Sequence, residues 1–343
     1  MKNKKILYFL TGAGILVLII VIIIYRNLFG ISIVPDKNNQ IIYIPTGSSY
    51  DQVLDSLESN LTIKNLKVLR WVAKKKNYPD LIKPGRYVIN KDLSYNGLIN
   101  LFRSGRQSPV KITLNNVRTL NQIAGKIAKQ IEADSSQIMT FLSDDSNYST
   151  DGFKKENIIA LFIPNTYEFY WNTDAKGLYI RMLKEYRLFW NDQRLAKAKE
   201  EGLDAKEVTI LASIIDDEVA KPDEKPRIAG VYLNRLKRGI PLQSCPTIKF
   251  ALNDFSITRV LKKYLLVDSP YNTYEHNGFP PGPIGCASVE GIDAVLNAEK
   301  HDYLYFAAKS DFSGYHNFSR TLSEHNRYAL LYQKELDKRK IFK

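Results

Sequence analysis

The first strong pattern along the chain is an unbroken apolar run from Ile6 to Ile24, ILYFLTGAGILVLIIVIII, with no charge inside it. About 20 apolar residues carry a helix across a bilayer, so the run predicts a transmembrane anchor over 6–26. Lys2, Lys4 and Lys5 precede it. A basic flank stays in the cytoplasm, which makes 1–5 a cytoplasmic tail and sends everything after the anchor outward. A cleaved signal peptide has a shorter apolar stretch that ends at small residues. Here the run ends in VIIIYRNLF, so an uncleaved anchor is the expectation.

After a polar linker over 27–40 the period changes. IIYIPTG reads as a strand and a turn. Val53, Leu54 and Leu57 recur at helical spacing within 49–57, a second helical stretch covers 66–76, and Pro84-Gly85 marks a turn before the strand RYVI. The order strand, helix, helix, strand predicts a small α+β module over 41–108. Residues 109–157 form a connecting segment. It holds the strand VKITL, the helix LNQIAGKIAKQI with Leu120, Ile123, Ile127 and Ile131 apolar, and the loop DDSNYSTDG. The catalytic region is expected over 158–335, and 336–343 is a basic tail. The fold class is α+β: a transmembrane helix, a small module and a mixed α/β catalytic domain.

The most informative stretch runs from Glu207 to Gly239. Val208, Leu211, Ala212, Ile215 and Val219 define one apolar helix face. Glu218 lies on its edge, beside Leu211 and Ile215, whereas Asp216 and Asp217 point away from its centre. Apolar surroundings disfavour a charged carboxylate. The neighbouring aspartates add negative charge, and Pro222 puts a helix C-terminus close by, where an anion is repelled. All three effects favour the neutral acid that general-acid chemistry needs. The alternative is a helix-edge glutamate that reaches water or pairs with Arg227 or Arg235.

Asp223 can cap a following helix that stops at Gly239, with Ile228, Val231, Tyr232 and Leu236 on its buried face. PLQSCPTIKF reads as extended. SPYNTYEHNGFPPGPIG, from Ser269 to Gly285, reads as a rigid loop of the kind that lines clefts. In it Tyr271 and Tyr274 suit packing on sugar faces, and Asn272 and Thr273 suit binding hydroxyls. Turn stabilisation explains each of these equally well. YLYFAA and YHNF read as strands around the turn SDFSG.

Composition changes this picture little. With 49 Lys and Arg against 36 Asp and Glu, the net charge of +13 favours polyanions. Nucleic acid, anionic lipid and cell-wall polymer all qualify, and the outward topology argues against nucleic acid. The two cysteines, Cys245 and Cys286, form no C-x-x-C pair and read as isolated thiols, with a disulfide between them in an oxidising compartment as the alternative. The four histidines fall in no metal-binding pattern, and no nucleophile elbow, Walker loop or dinucleotide fingerprint is present.

Taken in order, FIPNTYEFY, LASIIDDE, AGVYLNRL, PLQSCPT, SPYNTY, GFPPGPI and YLYFAA through HNFSRTLSEHN closely resemble the MltG (YceG-like) family of endolytic murein transglycosylases. The resemblance covers most of the chain from Ile41 onward. It implies that the 41–108 module is LysM-like and that Glu218 is the catalytic glutamate. It also implies that Asn234, Gln243, Thr247, Tyr271, Asn272 and Thr273 lie in cleft-lining motifs, with Tyr274 beside them. The implied reaction cuts the β-1,4 bond between N-acetylmuramic acid and N-acetylglucosamine. Glu218 would act as acid and then as base, leaving a 1,6-anhydro end without metal or cofactor. The implied partners are peptidoglycan glycan strands, inner-membrane lipid and peptidoglycan synthases of the penicillin-binding type, with a role in trimming or releasing nascent strands in the periplasm. The rival reading is a non-catalytic wall-binding scaffold on the same anchor. The chain departs from the family pattern in three places. Cys245 stands where many relatives have Asp, Ile159-Ala160 replaces a Glu-Gly pair, and Cys286-Ala287 replaces Asn-Pro.

Overall fold

The computed structural model describes residues 2–115 and 117–339; Met1 and residues 340–343, parts of the two expected tails, lie outside the described residues. The chain is mixed α+β, opening with one long helix, α1 (Lys2–Phe29). Its segment Tyr8–Arg26 has a mean hydropathy of 2.6 and buries none of its surface against the protein. Among the described residues this is the one helix long and apolar enough to cross a membrane.

The chain divides into two compact units. The first contains α1, β1 (Ile33–Pro35), β2 (Gln40–Ile44), α2 (Tyr50–Asn60), β3 (Leu61–Ile63), α3 (Leu66–Lys75), β4 (Gly85–Ile89) and α4 (Tyr95–Ser104). It also takes in 130–133 and 168–173. Strands β2 and β4 pair antiparallel with Ile42 opposite Tyr87, and β1 pairs with β3 with Val34 opposite Thr62. Alternation drives the first pairing, because Ile42, Ile44, Tyr87 and Ile89 all turn into one core with Leu54, Leu57, Leu69 and Phe102. Helix α2 starts where the sequence puts a capping box, Ser49 with Gln52. Residues 30–40, expected as a linker, contain β1, whose Ile33 is fully buried. Three residues are too few to give a period that sequence reading can detect.

The second unit holds most of β5 (Val110–Leu114) and of β6 (Asn165–Phe169), which pair with each other, together with α5 (Leu120–Ala128) and α6 (Ser135–Ser143). Helices α7 (Ala175–Phe189), α8 (Asp192–Glu200), α9 (Ala205–Glu218), α10 (Lys225–Lys237), α11 (Cys245–Ala251) and α12 (Val289–Leu296) follow. The hairpin β7 (Tyr305–Ala308) and β8 (His316–Ser319) and helix α13 (Leu322–Lys338) complete it.

Helix α9 runs through the centre of this unit. Every residue from Val208 to Ile215 is buried, including Thr209 and Ser213. The single apolar face expected from the sequence is therefore a helix buried on all sides. Thr209 and Ser213 fit there by returning their hydroxyls to the backbone carbonyls of Ala205 and Ile210. Two local expectations also change. Asp223 does not cap α10; it lies in a 3-10 turn, Pro222–Glu224, that leads into the helix without a side-chain cap. Within PLQSCPTIKF, expected as extended, Cys245 onward is helical, with Pro246 in the first turn where no backbone N–H is needed.

The loop after Gly278 packs backbone against backbone. A Cβ on Gly282 would lie 1.8 Å from the carbonyl oxygen of Glu156. Gly282→Ala is expected to cost at least about 1–3 kcal/mol, the range for overpacking a tight interior, because a carbonyl cannot swing aside like a side chain. Thermal unfolding of the variant against wild type checks this.

Candidate active site

Helix α9 is fixed at both ends. Asp204 caps its start, accepting from the N–H groups of Lys206 and Glu207, and Glu207 returns the contact to Asp204 N at 2.9 Å. At the other end Val219 turns to extended backbone (φ −138°, ψ 128°), which makes Glu218 the last helical residue. Its carboxyl sits where the last carbonyls of a helix gather, as the sequence predicts.

Two hydroxyls hold this carboxyl. Tyr232 Oη of α10 donates to Glu218 Oε1 at 2.8 Å, and Ser244 Oγ donates to the same oxygen at 2.7 Å. Burial pushes the Glu218 pKa above the usual carboxylate value, and nearby Asp217 pushes the same way. The two hydroxyl bonds and the neighbouring His316 oppose the rise without cancelling it. The arginines considered as alternative partners are engaged elsewhere. Arg227 pairs with Glu299, and Arg235 donates to Leu242 O and Gln243 Oε1. Burial outweighs the two hydroxyl donors, which themselves favour the charged form, and leaves the Glu218 carboxyl biased towards its protonated state.

Neither Tyr232 nor Ser244 was singled out as a site residue from the sequence. Tyr232 was expected only on the buried face of α10, and it is buried there, its ring edge-on to Phe306 with centroids 5.7 Å apart. Ser244 occupies the N-cap of α11 but makes no capping bond; its hydroxyl is turned to Glu218 instead. Serine at an N-cap ordinarily bonds the helix, so the diversion is informative. Both residues fall inside motifs that carry the family resemblance, AGVYLNRL and PLQSCPT, which is where a search for them would begin.

The other expected site residues mostly support this pair. Thr273 Oγ1 accepts from Ser244 N at 3.0 Å, and Thr247 Oγ1 meets Thr273 Oγ1 at 2.8 Å. Both threonines are buried; together they fix the Ser244 backbone. Asn272, fully buried, donates to the carbonyls of Leu265 and Val267 and accepts from Tyr274 N. Its role in this structure is to brace the loop. Exposed Gln243 adopts φ 52°, takes a bond from Arg235 and donates its N–H to Thr273 O. Tyr274 Oη lies 3.4 Å from Cys245 Sγ, and burial raises both pKa values. Tyr271 packs on Phe250 at 4.7 Å, its own pKa pushed up to about 12 by burial. Asn234 stands apart from these. Its amide donates to the carbonyls of His301 and Tyr303 and ties α10 to the segment before β7.

A cavity of about 630 Å³ opens beside the last turn of α9, walled by Arg118, Asp216, Asp217, Val219, Lys225 and Glu290 among others. Asp217 accepts from Arg118, and Asp216 from Lys225 and Ser288. Glu218 itself does not line this cavity; its carboxyl turns to Tyr232 and Ser244. Cys245 and Cys286 are both unpaired thiols. Among the described residues no group of three His, Cys, Asp or Glu side chains is placed to hold a metal ion.

The model of the YceG-like family matches residues 42–330. The chain belongs to the YceG-like family. It is 32% identical over 302 residues to the endolytic murein transglycosylase of Bacillus subtilis (strain 168), covering 83% of this chain and 82% of that relative. It is 29% identical over 299 residues to the endolytic murein transglycosylase of Streptococcus pneumoniae (strain ATCC BAA-255 / R6), covering 77% of this chain and 53% of that longer relative. A 2.6 Å crystal structure of a yceG-like protein from Listeria monocytogenes superposes with a TM-score of 0.54 at 27% identity, covering 85% of this chain and 99% of that one. This YceG-like chain thus shares its fold with a solved relative, and its Glu218 lies well inside the matched span.

Proposed function

We propose that this YceG-like chain is an endolytic murein transglycosylase whose single acid–base residue is Glu218. The observation that carries the reading is the Glu218 carboxyl itself: at a helix end, desolvated, and held by Tyr232 and Ser244 rather than by a cation. With both hydroxyls donating to Oε1, Oε2 is left to carry the proton. That proton goes to the glycosidic oxygen between N-acetylmuramic acid and N-acetylglucosamine as the bond from C1 to that oxygen breaks. The carboxylate so formed takes the proton of the muramic acid C6 hydroxyl, and O6 bonds to C1. No water is consumed and the acid is regenerated. An internal nucleophile gains from proximity, so the second carboxylate of ordinary glycosidases is not required.

In the same reading α1 anchors the chain in the cytoplasmic membrane with the residues after it outside, and residues 41–108 form a LysM-like module that meets glycan. The element order β2, α2, β3, α3, β4, which keeps the expected strand, helix, helix, strand with the short β3 inserted, supports the module, and the Lys2, Lys4 and Lys5 flank supports the orientation. Peptidoglycan synthases are the expected neighbours, with nascent strands as substrate.

The test is digestion of purified glycan strands by the full chain in detergent, with product ends read by mass spectrometry. Anhydro-ended fragments from wild type and none from Glu218→Gln support the reading. Absence from both would favour a wall-binding scaffold.

A finer prediction concerns the two hydroxyls. Both lower the Glu218 pKa, so removing either one raises it. Ser244→Ala and Tyr232→Phe are each expected to move the alkaline limb of the pH–rate profile to higher pH. A neutral hydrogen bond is worth about 1 kcal/mol, so each variant should also lose roughly fivefold in kcat.

A further inference from the structure

The YceG-like fold carries a second feature that the glycan chemistry does not use. Helix α3 has Leu69, Val72 and Ala73 buried. Its opposite arc carries Lys67, Arg70, Trp71, Lys74 and Lys75, all exposed. The spacing i, i+3, i+4, i+7, i+8 puts these five on one helix face. Four are cations. The one acidic contact on this face among the described residues is Glu58, 4.0 Å from Arg70 with both side chains about half exposed. Trp71 is 51% exposed, with Lys75 Nζ 6.0 Å from its ring centre.

The start of this helix lies close to the exit of the apolar helix. Leu28, in the last turn of α1, packs against the core of the first unit. Two residues after α1 ends, Ile31 O accepts a bond from Lys64 Nζ at 2.7 Å, and Ser32 O accepts from Lys64 N at 3.1 Å. Lys64 is two residues before α3. Helix α3, about 15 Å long, therefore begins one lysine side chain away from where the chain leaves α1. The exposed rings Tyr25 and Phe29, 5.1 Å apart in the last turns of α1, match the aromatic belt that marks a membrane surface.

We propose that the Lys67–Lys75 face of α3 lies on the anionic headgroups of the leaflet from which α1 emerges, with Trp71 inserted at the headgroup level. The proposal rests on the reading of α1 as a membrane span. Clustered cations beside a span attract acidic lipid, and a tryptophan among them adds an apolar foothold in the interface. Docking at this second point would fix the tilt of the first unit on the membrane, which a single helix leaves open.

The experiment places the full chain in lipid nanodiscs and excites tryptophan, comparing wild type with Trp71→Phe; the difference is the Trp71 signal. With acyl-brominated lipid and phosphatidylglycerol present, the Trp71 signal is expected to be quenched. The quenching should weaken in purely zwitterionic discs, in high salt, and in a Lys67→Glu/Lys74→Glu variant. Equal quenching of wild type and Trp71→Phe in every disc overturns the proposal while leaving the anchor intact. Loss of the chain from the discs overturns both. Shielding of Trp71 by inorganic polyphosphate with no dependence on lipid charge would make a soluble polyanion the partner and also overturn it.

Discussion

Glu218→Gln is expected to abolish release of anhydro-ended fragments while leaving the fold intact. General acid–base catalysis contributes about 10²–10⁴-fold. Here one side chain serves both proton transfers, so the loss should reach at least the upper end of that range. Glutamine keeps the shape and still accepts from Tyr232 and Ser244, which separates chemistry from packing. The pH behaviour has a definite sign. The acid must be protonated to act, and its pKa is raised by burial, so kcat/KM of wild type falls as pH rises through that raised value. Stability moves with pH in the same direction. A carboxyl whose folded pKa is raised supports the fold only below its pKa and weakens it once ionised. Glu218→Gln should therefore melt higher than wild type in alkaline buffer, with the gap closing as pH falls. Scanning calorimetry across pH checks this. Equal fragment release by the two proteins would remove Glu218 from the mechanism.

How much of this was legible beforehand depends on distance along the chain. The Glu218 position follows from local signals: apolar residues at helical spacing before it and Pro222 after it. Its partners do not, because Tyr232 and Ser244 lie 14 and 26 residues away, on two other elements. Nothing in helical period says that a buried tyrosine will aim its hydroxyl at one carboxylate. The same limit explains the loop residues. Asn272, Thr273 and Thr247 read equally well as sugar ligands or as turn stabilisers. Three-dimensional contact shows them fixing the Ser244 backbone or the loop that packs against it. Helix α11 was hidden because seven residues beginning Cys-Pro-Thr-Ile give no clear period. The strands β2, β4, β7 and β8 were visible because each alternates or is bounded by a turn.

These contacts also assign a job to the residues around the carboxyl. Thr247 and Thr273 order Ser244, Ser244 orders Glu218, and Arg235 pins the turn from Ile240 to Gln243 that delivers Ser244. The site is preorganised by neutral bonds, and the charged pairs lie one residue or more away. These bonds hold the carboxyl in place and favour the carboxylate it becomes, while burial keeps its pKa raised.

The charged pair with the largest structural consequence is Lys225 with Asp216. Lys225 Nζ lies 2.7 Å from Asp216 Oδ1, with the side chains 9% and 18% exposed. Asp216 also accepts from Ser288 N at 2.6 Å and Ser288 Oγ at 2.8 Å, joining α9 and α10 to the start of α12. A Cβ on Gly291 would fall 2.6 Å from Asp216 Oδ1, so α12 closes directly over the carboxylate. Lys225→Met strands that negative charge in the last turn of α9, two residues before Glu218. Breaking a buried pair costs about 3–5 kcal/mol. The surviving Ser288 bonds place this case near about 3, or roughly 6–12 °C in Tm for a unit of this size. Pairing Lys225→Met with Asp216→Asn should restore most of the loss, because asparagine carries no charge and its carbonyl still accepts from Ser288. If calorimetry finds the single variant within a few tenths of a kcal/mol of wild type, the pair does not hold α9 in place. The ordering of Glu218 would then rest on Tyr232 and Ser244 alone.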